Sequence, residues 1–418
     1  MRSTQPPFHR IRTLRPYLVL YFTYIASFEA MTADTEDDAE AFWRVGVCDS
    51  HCHPTDIMAS TDDIASMNAK VLTVMSTRSQ DQQLVADTAS RYPISESTDI
   101  ESSLSRYVVP SFGWHPWFSY QMIDDRNTEQ DVDSREHFRA VLTSEPDDDF
   151  MESLPATLSL SKFLQDTEER LQQFPLALVG EIGLDRSFRL PYGGFVSAGD
   201  MDAKTGGSKE AYTPGSREGR PLSPHRVSLE HQKTILKAQF ELAGKLRRPV
   251  SVHSVQTHGV VFDLLQSLWK GHEKPSKREQ KRRKSASQAH STENEKEQQS
   301  DSGPLPYPPR ICMHSYSGPP EALSQFLGST VPAEIYLSFS ILINFSTPAA
   351  AKAEKVIKAI PDDKILIESD LHCAGKRMDG LLKDILLKVC EIKGWKPEDG
   401  ARQLKDNWRR FVFGANVD

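Results

Sequence analysis

The chain has 418 residues, with 38% hydrophobic and 26% charged residues and a mean hydropathy of −0.49. Its net charge of −8 excludes a protein that coats nucleic acid by bulk charge, and any such contact must come from a local patch. Five Cys exclude a disulfide scaffold, and no apolar run reaches the ~18–20 residues that cross a membrane, so no integral membrane association is expected.

Residues 1–44 read as an N-terminal extension. Residues 1–28 contain no acid and carry Arg2, Arg10, Arg12 and Arg15 ahead of the apolar run Tyr17–Phe28, the pattern of a targeting segment. A cleavage after Ala30 would have Phe28 at its −3 position, where a small residue is needed, and Met31 opens an acidic stretch of cytosolic character. The extension is therefore read as dispensable and the protein as cytoplasmic or nuclear, with mitochondrial targeting the lesser reading.

From Val45 the chain alternates short β-branched runs with helical patterns. The runs are Val45–Asp49, Val71–Met75, Tyr107–Gly113, Ala177–Ile182, Pro249–Val252, Arg310–Met313, Ile335–Ile343 and Ile365–Glu368. Helices are expected over Gln80–Arg91, Leu160–Gln173, Ser228–Leu246, Gly259–Trp269, Pro319–Phe326, Pro348–Ile360, Leu381–Lys393 and Pro397–Phe411, with Ser228 as an N-cap. Eight strands alternating with helices predict an α/β fold, a (β/α)8 TIM-type barrel over residues 45–418.

Such a barrel needs about 250 residues, so the excess must be long polar insertions. They fall at 119–159, which is acidic, at 191–226, which is rich in Gly, Ser and Pro, and at 270–309, which is of low complexity and expected to be disordered. The first two follow strands and should rim the catalytic face. The third follows a helix and should hang from the opposite face. It carries the basic cluster Lys274, Lys277, Arg278, Lys281, Arg282, Arg283 and Lys284, read as a solvated linker or a nuclear-localisation patch.

The polar residues gather where the strands end. The first run leads into CDSHCHP with His51 and His53, the third into GWHPWF with His115, and the fourth into VGEIGLD with Glu181. The fifth leads into SVHS with His253, the sixth into CMHSYSG with His314, and the eighth into IESDLH with Asp370. Residues two apart on an extended chain face the same way, so His51 and His53 can share one centre. A single His after an apolar run is an ordinary core residue; six such placements at one end of a barrel are a metal site. Imidazole with carboxylate and no thiolate suits transition metals over Ca, and a carboxylate can bridge two ions. Cys48, Cys52 and Cys312 read as buried fillers, Trp114 and Trp117 as packing, and Asp185 as orienting a neighbour.

In this order HxH, GEIGLD, RPVSVHS, CMHSYSG and ESD resemble the TatD-type metal-dependent deoxyribonucleases of the amidohydrolase-like superfamily. The polar chain with its large loops is most like the fungal Cut9-interacting branch. The resemblance implies that His51, His53 and Asp370 bind one ion, that Glu181 bridges, and that His253 and His314 hold a second. It implies two divalent ions (Zn, Mn or Mg), Asp370 as general base with Glu181 as its catalytic companion, and His115 on a substrate phosphate. DNA or another phosphodiester is then the substrate, cleaved through metal-activated water, and a cell-cycle protein becomes a partner by resemblance. Ser369 stands where the family has Thr, and Leu371–His372 follow where it has a small residue and Pro. Two other readings keep the barrel: a hydrolase of a small ester or amide, and a protein-interaction scaffold.

Overall fold

Eight short strands rich in β-branched residues are buried on both faces, as parallel strands covered by helices must be. They are β1 (Cys48–Cys52), β2 (Val71–Met75), β3 (Tyr107–Ser111), β4 (Val179–Asp185), β5 (Val250–Val255), β6 (Arg310–Met313), β7 (Glu334–Phe339) and β8 (Ile365–Ile367). In this computed structural model the described residues are 40–127, 132–192, 221–276, 278–279, 281–282, 303–346 and 349–414. All eight strands belong to the compact unit that starts at Phe42.

The strands pair in parallel and in chain order, β1 to β3 in one ladder and β4 to β8 in another. Backbone hydrogen bonds cross both gaps between the ladders. Leu178 N donates to Pro110 O and Phe112 N to Leu178 O, each at 3.0 Å. On the far side, Asp370 N donates to His51 O at 3.0 Å and His53 N to Leu371 O at 2.8 Å. The eight strands thus follow one another around a barrel, as the alternation predicts.

The main helices are α1 (Ser79–Arg91), α2 (Leu160–Gln173), α3 (Leu229–Lys245), α4 (His258–Leu268), α5 (Ala350–Ala359), α6 (Lys376–Lys393) and α7 (Pro397–Phe413). Ser228 caps α3 as expected, its hydroxyl accepting from His231 N at 3.3 Å. Boundaries shift where local chemistry overrides apolar periodicity. The first strand starts at Cys48 because Val45 ends a short helix (Phe42–Val45) and Gly46, at φ +99°, turns the chain between them. The seventh stops at Phe339 because Ser340 caps a π-helical turn, Ile341–Phe345, out of the same apolar run. Helix α6 starts at Lys376, behind Gly375 at φ +109°, ahead of the expected Leu381. Pro348, the expected start of α5, lies outside the described residues.

The first insertion is not a loop. The segment after β3 folds into a 3-10 turn (Pro116–Gln121), the paired strands Met122–Ile123 and Leu158–Ser159, and the helices Ser134–Val141 and Asp148–Glu152. Asp133 caps the first of these helices and Asp147 the second. Leu142–Thr143 then pairs antiparallel with Arg226–Val227 of the second insertion. That insertion opens from a ribbon in which Leu190 N donates to His225 O at 2.9 Å and Tyr192 N to Pro221 O at 2.8 Å. Tyr120, Phe138, Val141, Leu142, Phe150, Met151, Phe188, Leu190 and Val227 form one apolar core that joins the first insertion to the residues flanking the second. The described parts of the first insertion and of the flanks of the second therefore make a single cap. Residues 128–131 and 193–220, the basic positions Lys277, Arg283 and Lys284, and the N-terminal extension up to residue 39 lie outside the described residues.

Candidate metal centre

The barrel brings all six expected ligands together. His51 sits in β1 and His53 one residue beyond it; Glu181 is in β4, His253 in β5, and His314 directly follows β6. Asp370 follows β8 at φ +52°, a left-handed conformation held by the two hydrogen bonds that join it and Leu371 to β1. The glycine of GEIGLD beside Leu184 is a packing requirement: a Cβ on Gly183 would lie 2.0 Å from His253 O.

Glu181 is the centre of the arrangement, and its two oxygens face different partners. Oε2 lies 3.4 Å from His51 Nε2 and 3.3 Å from His53 Nε2. Oε1 lies 3.1 Å from His115 Nε2, 2.9 Å from His253 Nδ1 and 2.8 Å from His314 Nε2. Asp370 Oδ1 stands on the first side, 3.7 Å from His53 Nε2 and 3.9 Å from His51 Nε2. Three groupings have their donor atoms within 4.8 Å of one another: His51–His314–Asp370, His51–His53–Glu181 and His115–Glu181–His253. The thiols point elsewhere, Cys48 Sγ to Gly46 O at 3.5 Å, Cys52 Sγ to Thr73 O at 3.6 Å and Cys312 Sγ to Ser338 Oγ at 3.4 Å. A set of imidazoles and carboxylates converging without thiolate fits divalent transition metals.

The electrostatics are those of a buried, charge-dense site. Burial pushes His51 down to about 3 and His115 down to about 4. Burial acts the same way on His53, but its hydrogen bond to Glu181 and the charges of Glu181 and Asp370 raise it to about 9. Burial would raise Glu181, yet the surrounding imidazoles of His115, His314 and His51 hold it well below the usual carboxylate range. Asp370 is pushed up to about 6 by burial and by the charges of Glu368 and Glu181, against the pull of His314 and His53.

Behind the expected ligands stand further residues, of which the motif reading passed over Asp49, Ser251 and Glu368. Asp49 Oδ1 accepts from His51 N at 3.0 Å and Ser369 N at 3.1 Å, and Oδ2 accepts from Ser369 Oγ at 2.5 Å. This clamp ties the HxH strand to the segment carrying Asp370, and Ser369 supplies the hydroxyl that a Thr would. The signal was present, since Asp49, His51 and His53 are alternate residues. His51 Nδ1 lies 2.8 Å from Ser251 Oγ. His253 Nε2 lies 3.2 Å from Asp185 Oδ2, and His314 Nδ1 lies 3.5 Å from Glu368 Oε1. Asp185 thus orients a neighbour, as its position suggested.

The site opens into a cleft of about 500 Å³ whose walls include Arg78, Trp117, Phe188, Arg189 and Leu222. Trp117 stacks on Phe188 at 4.6 Å and donates its indole N–H to Asp185 Oδ2 at 2.7 Å, while Trp114 is buried against Phe163. Trp114 thus packs in the interior, while Trp117 packs at the cleft wall. His372 reaches the cleft wall. The acidic run of the cap does not: Asp147 caps a helix and Asp148 pairs with Arg139 at 2.8 Å, and neither lines the cleft. Among the described residues the cleft wall carries two arginines beside Asp56, with Arg78 held by Asp56 at 3.0 Å and Asp81 at 3.1 Å.

Comparison with known proteins places these features. The profile of the family described as TatD related DNase matches residues 48–413. The Cut9-interacting protein scn1 of Schizosaccharomyces pombe is 37% identical over 369 residues, covering 88% of this chain and 98% of that protein. An uncharacterized deoxyribonuclease of Saccharomyces cerevisiae is 26% identical over 329 residues, covering 77% of this chain and 82% of that one. Among solved structures, the TatD homologue YjjV of Escherichia coli superposes with a TM-score of 0.47 at 17% identity, over 90% of this chain and 99% of that one. A TatD family hydrolase of Entamoeba histolytica gives 0.47 at 12% identity, over 88% and 99%.

Proposed function

We propose, from the premise that the chain belongs to the TatD-related DNase family of metal-dependent hydrolases acting on ester bonds, that it cleaves phosphodiester bonds of DNA at a two-ion centre. The observation that carries this reading is the division of Glu181, one oxygen toward His51 and His53 and the other toward His253 and His314. That is the geometry a bridging carboxylate needs. His51, His53 and Asp370 would hold one ion and His253 and His314 the other. Bound there, the ions would lower the pKa of water toward about 7 and neutralise charge developing on the phosphate.

The remaining work falls to the chain's own side chains. Asp370 Oδ1 stands 3.7 Å from His53 Nε2 with its side chain partly exposed to the cleft, a place from which a carboxylate can take a proton from water at the centre. His115 is set up as a donor. Its Nδ1 accepts from the backbone N–H of Trp117 at 3.2 Å, so its Nε2 carries the proton and points into the site. An imidazole locked in that tautomer contacts a phosphate oxygen better than it binds an ion, which favours substrate binding over the third grouping of donor atoms.

Metal analysis of the purified chain, with a panel of 5′- and 3′-labelled oligonucleotides, tests the reading. Two ions per chain and metal-dependent shortening of the oligonucleotides are expected. Turnover of a small ester or amide with none of DNA would overturn the substrate. At most one ion under saturating Zn or Mn would overturn the two-ion centre. The name of the 37% identical S. pombe protein favours a second reading, a protein partner; an intact ligand set makes that an addition to hydrolysis, not a substitute. We read the location as cytoplasmic or nuclear. No helix among the described residues is long and apolar enough to cross a membrane.

A further inference from the structure

The cleft that opens from the metal centre has a wall that metal binding does not explain. Five large apolar side chains are exposed among the described residues: Leu104, Leu158, Tyr192, Leu222 and Ile343. Two of them, Leu222 at 39% and Ile343 at 44%, line this one cleft, together with the Trp117–Phe188 stack. The same wall carries a cation without a counter-charge. Arg189 is exposed, and among the described residues it makes no hydrogen bond or ion pair. Arg78, the other arginine of the cleft, is held by two carboxylates. Local structure fixes these positions. Asp185 Oδ1 accepts from Ser187 N at 2.7 Å and Phe188 N at 2.9 Å, which sets the turn that leads to Arg189. The ribbon beyond pairs Pro191 with Leu222, and Ser223 N donates to Leu190 O at 2.7 Å. Ile343 lies on the π-helical turn after β7, which Asn344 closes: its Oδ1 accepts from Ser340 N at 2.8 Å and its Nδ2 donates to Tyr316 O at 3.0 Å.

We propose that Arg189, Leu222 and Ile343, with the Trp117–Phe188 stack, form a subsite for the nucleotide next to the one being cleaved. The apolar side chains take its base and Arg189 takes its phosphate. The inference rests on the phosphodiesterase reading and deepens it by assigning specificity to the cap. A nucleotide offers an apolar face beside an anionic phosphate, and a cation placed beside apolar and aromatic side chains is how a strand is gripped without reading its sequence. The guanidinium fork matches phosphate oxygens, and an arginine not already held by carboxylates has its donors to give. Aliphatic side chains left in a wet cleft gain from burial only when another apolar surface covers them. A cleft of about 500 Å³ is the size of a small-molecule site, so a base that enters it is unpaired. Arg189 and Leu222 flank the second insertion, whereas the expected ion ligands stand on the barrel strands or directly after them. Chemistry and grip on the neighbouring nucleotide are thus assigned to different parts of the chain.

The test is steady-state cleavage of an all-thymidine octamer by the manganese-loaded full chain, from about 50 to 200 mM NaCl. Arg189→Gln should raise KM about three- to tenfold at the lowest salt, with a smaller change in kcat. It should also flatten the slope of log(kcat/KM) against log salt by about 0.7, the share of one single-strand phosphate, and Arg189→Lys should restore that slope. Leu222→Ser and Ile343→Ser should each raise KM about three- to tenfold and leave the slope as it is, since they remove apolar contact and no charge. Both side chains are exposed, so replacing them leaves the core intact. Wild-type KM and slope in Arg189→Gln, or wild-type KM in both serine variants, would overturn the subsite while cleavage by the wild type leaves the phosphodiesterase reading standing. A wild type that cleaves no oligonucleotide would overturn that reading instead.

Discussion

The barrel ends and the cap above them are made by the same chain under different rules. At the barrel end, each functional side chain is fixed by its place on a strand, and six strands each contribute to one centre. In the cap, no element among the described residues exceeds eight residues, and stability comes from an apolar cluster shared by two segments about 80 residues apart in sequence, Leu142–Thr143 and Arg226–Val227. The difference separates what can be lost. Breaking the barrel end should remove chemistry while the fold survives; breaking the cap should remove shape and substrate grip while the ligands stay in place.

The largest effect should come from Glu181, the residue that both proposed ion sets would share. Glu181→Ala should abolish bound metal and activity together, a loss of more than about 10⁴-fold, or roughly 5 kcal/mol. Metal content measured beside turnover checks it; loss of activity with two ions retained would take Glu181 out of the bridging position. Asp370→Asn keeps the shape and one oxygen but cannot accept a proton. It should retain at least one ion and lose about 10²–10⁴-fold in rate. A metal-loaded variant within tenfold of wild type would show that another group takes the proton.

On the cap side, Phe138 is 3% exposed in the shared cluster. Phe138→Ala should cost about 3–5 kcal/mol, enough to open the cap and raise the Michaelis constant while metal content stays at the wild-type level. Loss of both together would mean that cap and barrel fold as one cooperative unit. Acid should act where the two meet, since His137 lies in the cap and His231 on α3 of the barrel. Burial lowers His231 to about 4 and also lowers His137, and these rings donate to Ser119 O and Tyr120 O at 2.9 and 2.8 Å. The unfolded chain takes up these protons near pH 6.5, before the folded cap does. Their stabilisation is therefore complete above pH 6.5 and lost as pH falls toward 4. His231→Gln should flatten the dependence of melting temperature on pH across that window.

The same contrast explains what was legible. Each ligand sits next to a β-branched run, so period, strand count and residue type converge on it, and His51, His53, Glu181, His253, His314 and Asp370 all reach one centre. Asp49, Asp185 and Glu368 are quieter because their partners are backbone atoms or rings on other strands, with separations in sequence that periodicity does not register. The cap reads as loop for a different reason. Its strands are two residues long and its apolar positions are scattered among acids, and the helical spacing of Phe138, Val141 and Leu142 lasts for little more than one turn. Composition reveals its charge but not where that charge goes: the acids are spent on caps and ion pairs with Arg135 and Arg139.

The smallest effect should come from the side facing away from both regions. The polar stretch between α4 and β6 is a helix-to-strand connection, which in a barrel of this kind lies opposite the catalytic face. Its described flanks are tied to the body: Lys274 N donates to Thr330 O at 2.9 Å, Leu305 N donates to Gly244 O at 3.1 Å, and Tyr307 packs edge-on against Trp269. Residues 283–302, which include the basic positions Arg283 and Lys284, lie outside the described residues. Joining the flanks by deleting 283–302 leaves those anchors and every ligand untouched. Turnover of oligonucleotide should then stay within about twofold of wild type, at most roughly 0.4 kcal/mol, while an effect on nuclear import would be free to appear in cells. A hundredfold loss of turnover in the purified deletion variant would mean that this stretch reaches the catalytic end, and the opposition between the two faces would have to be redrawn.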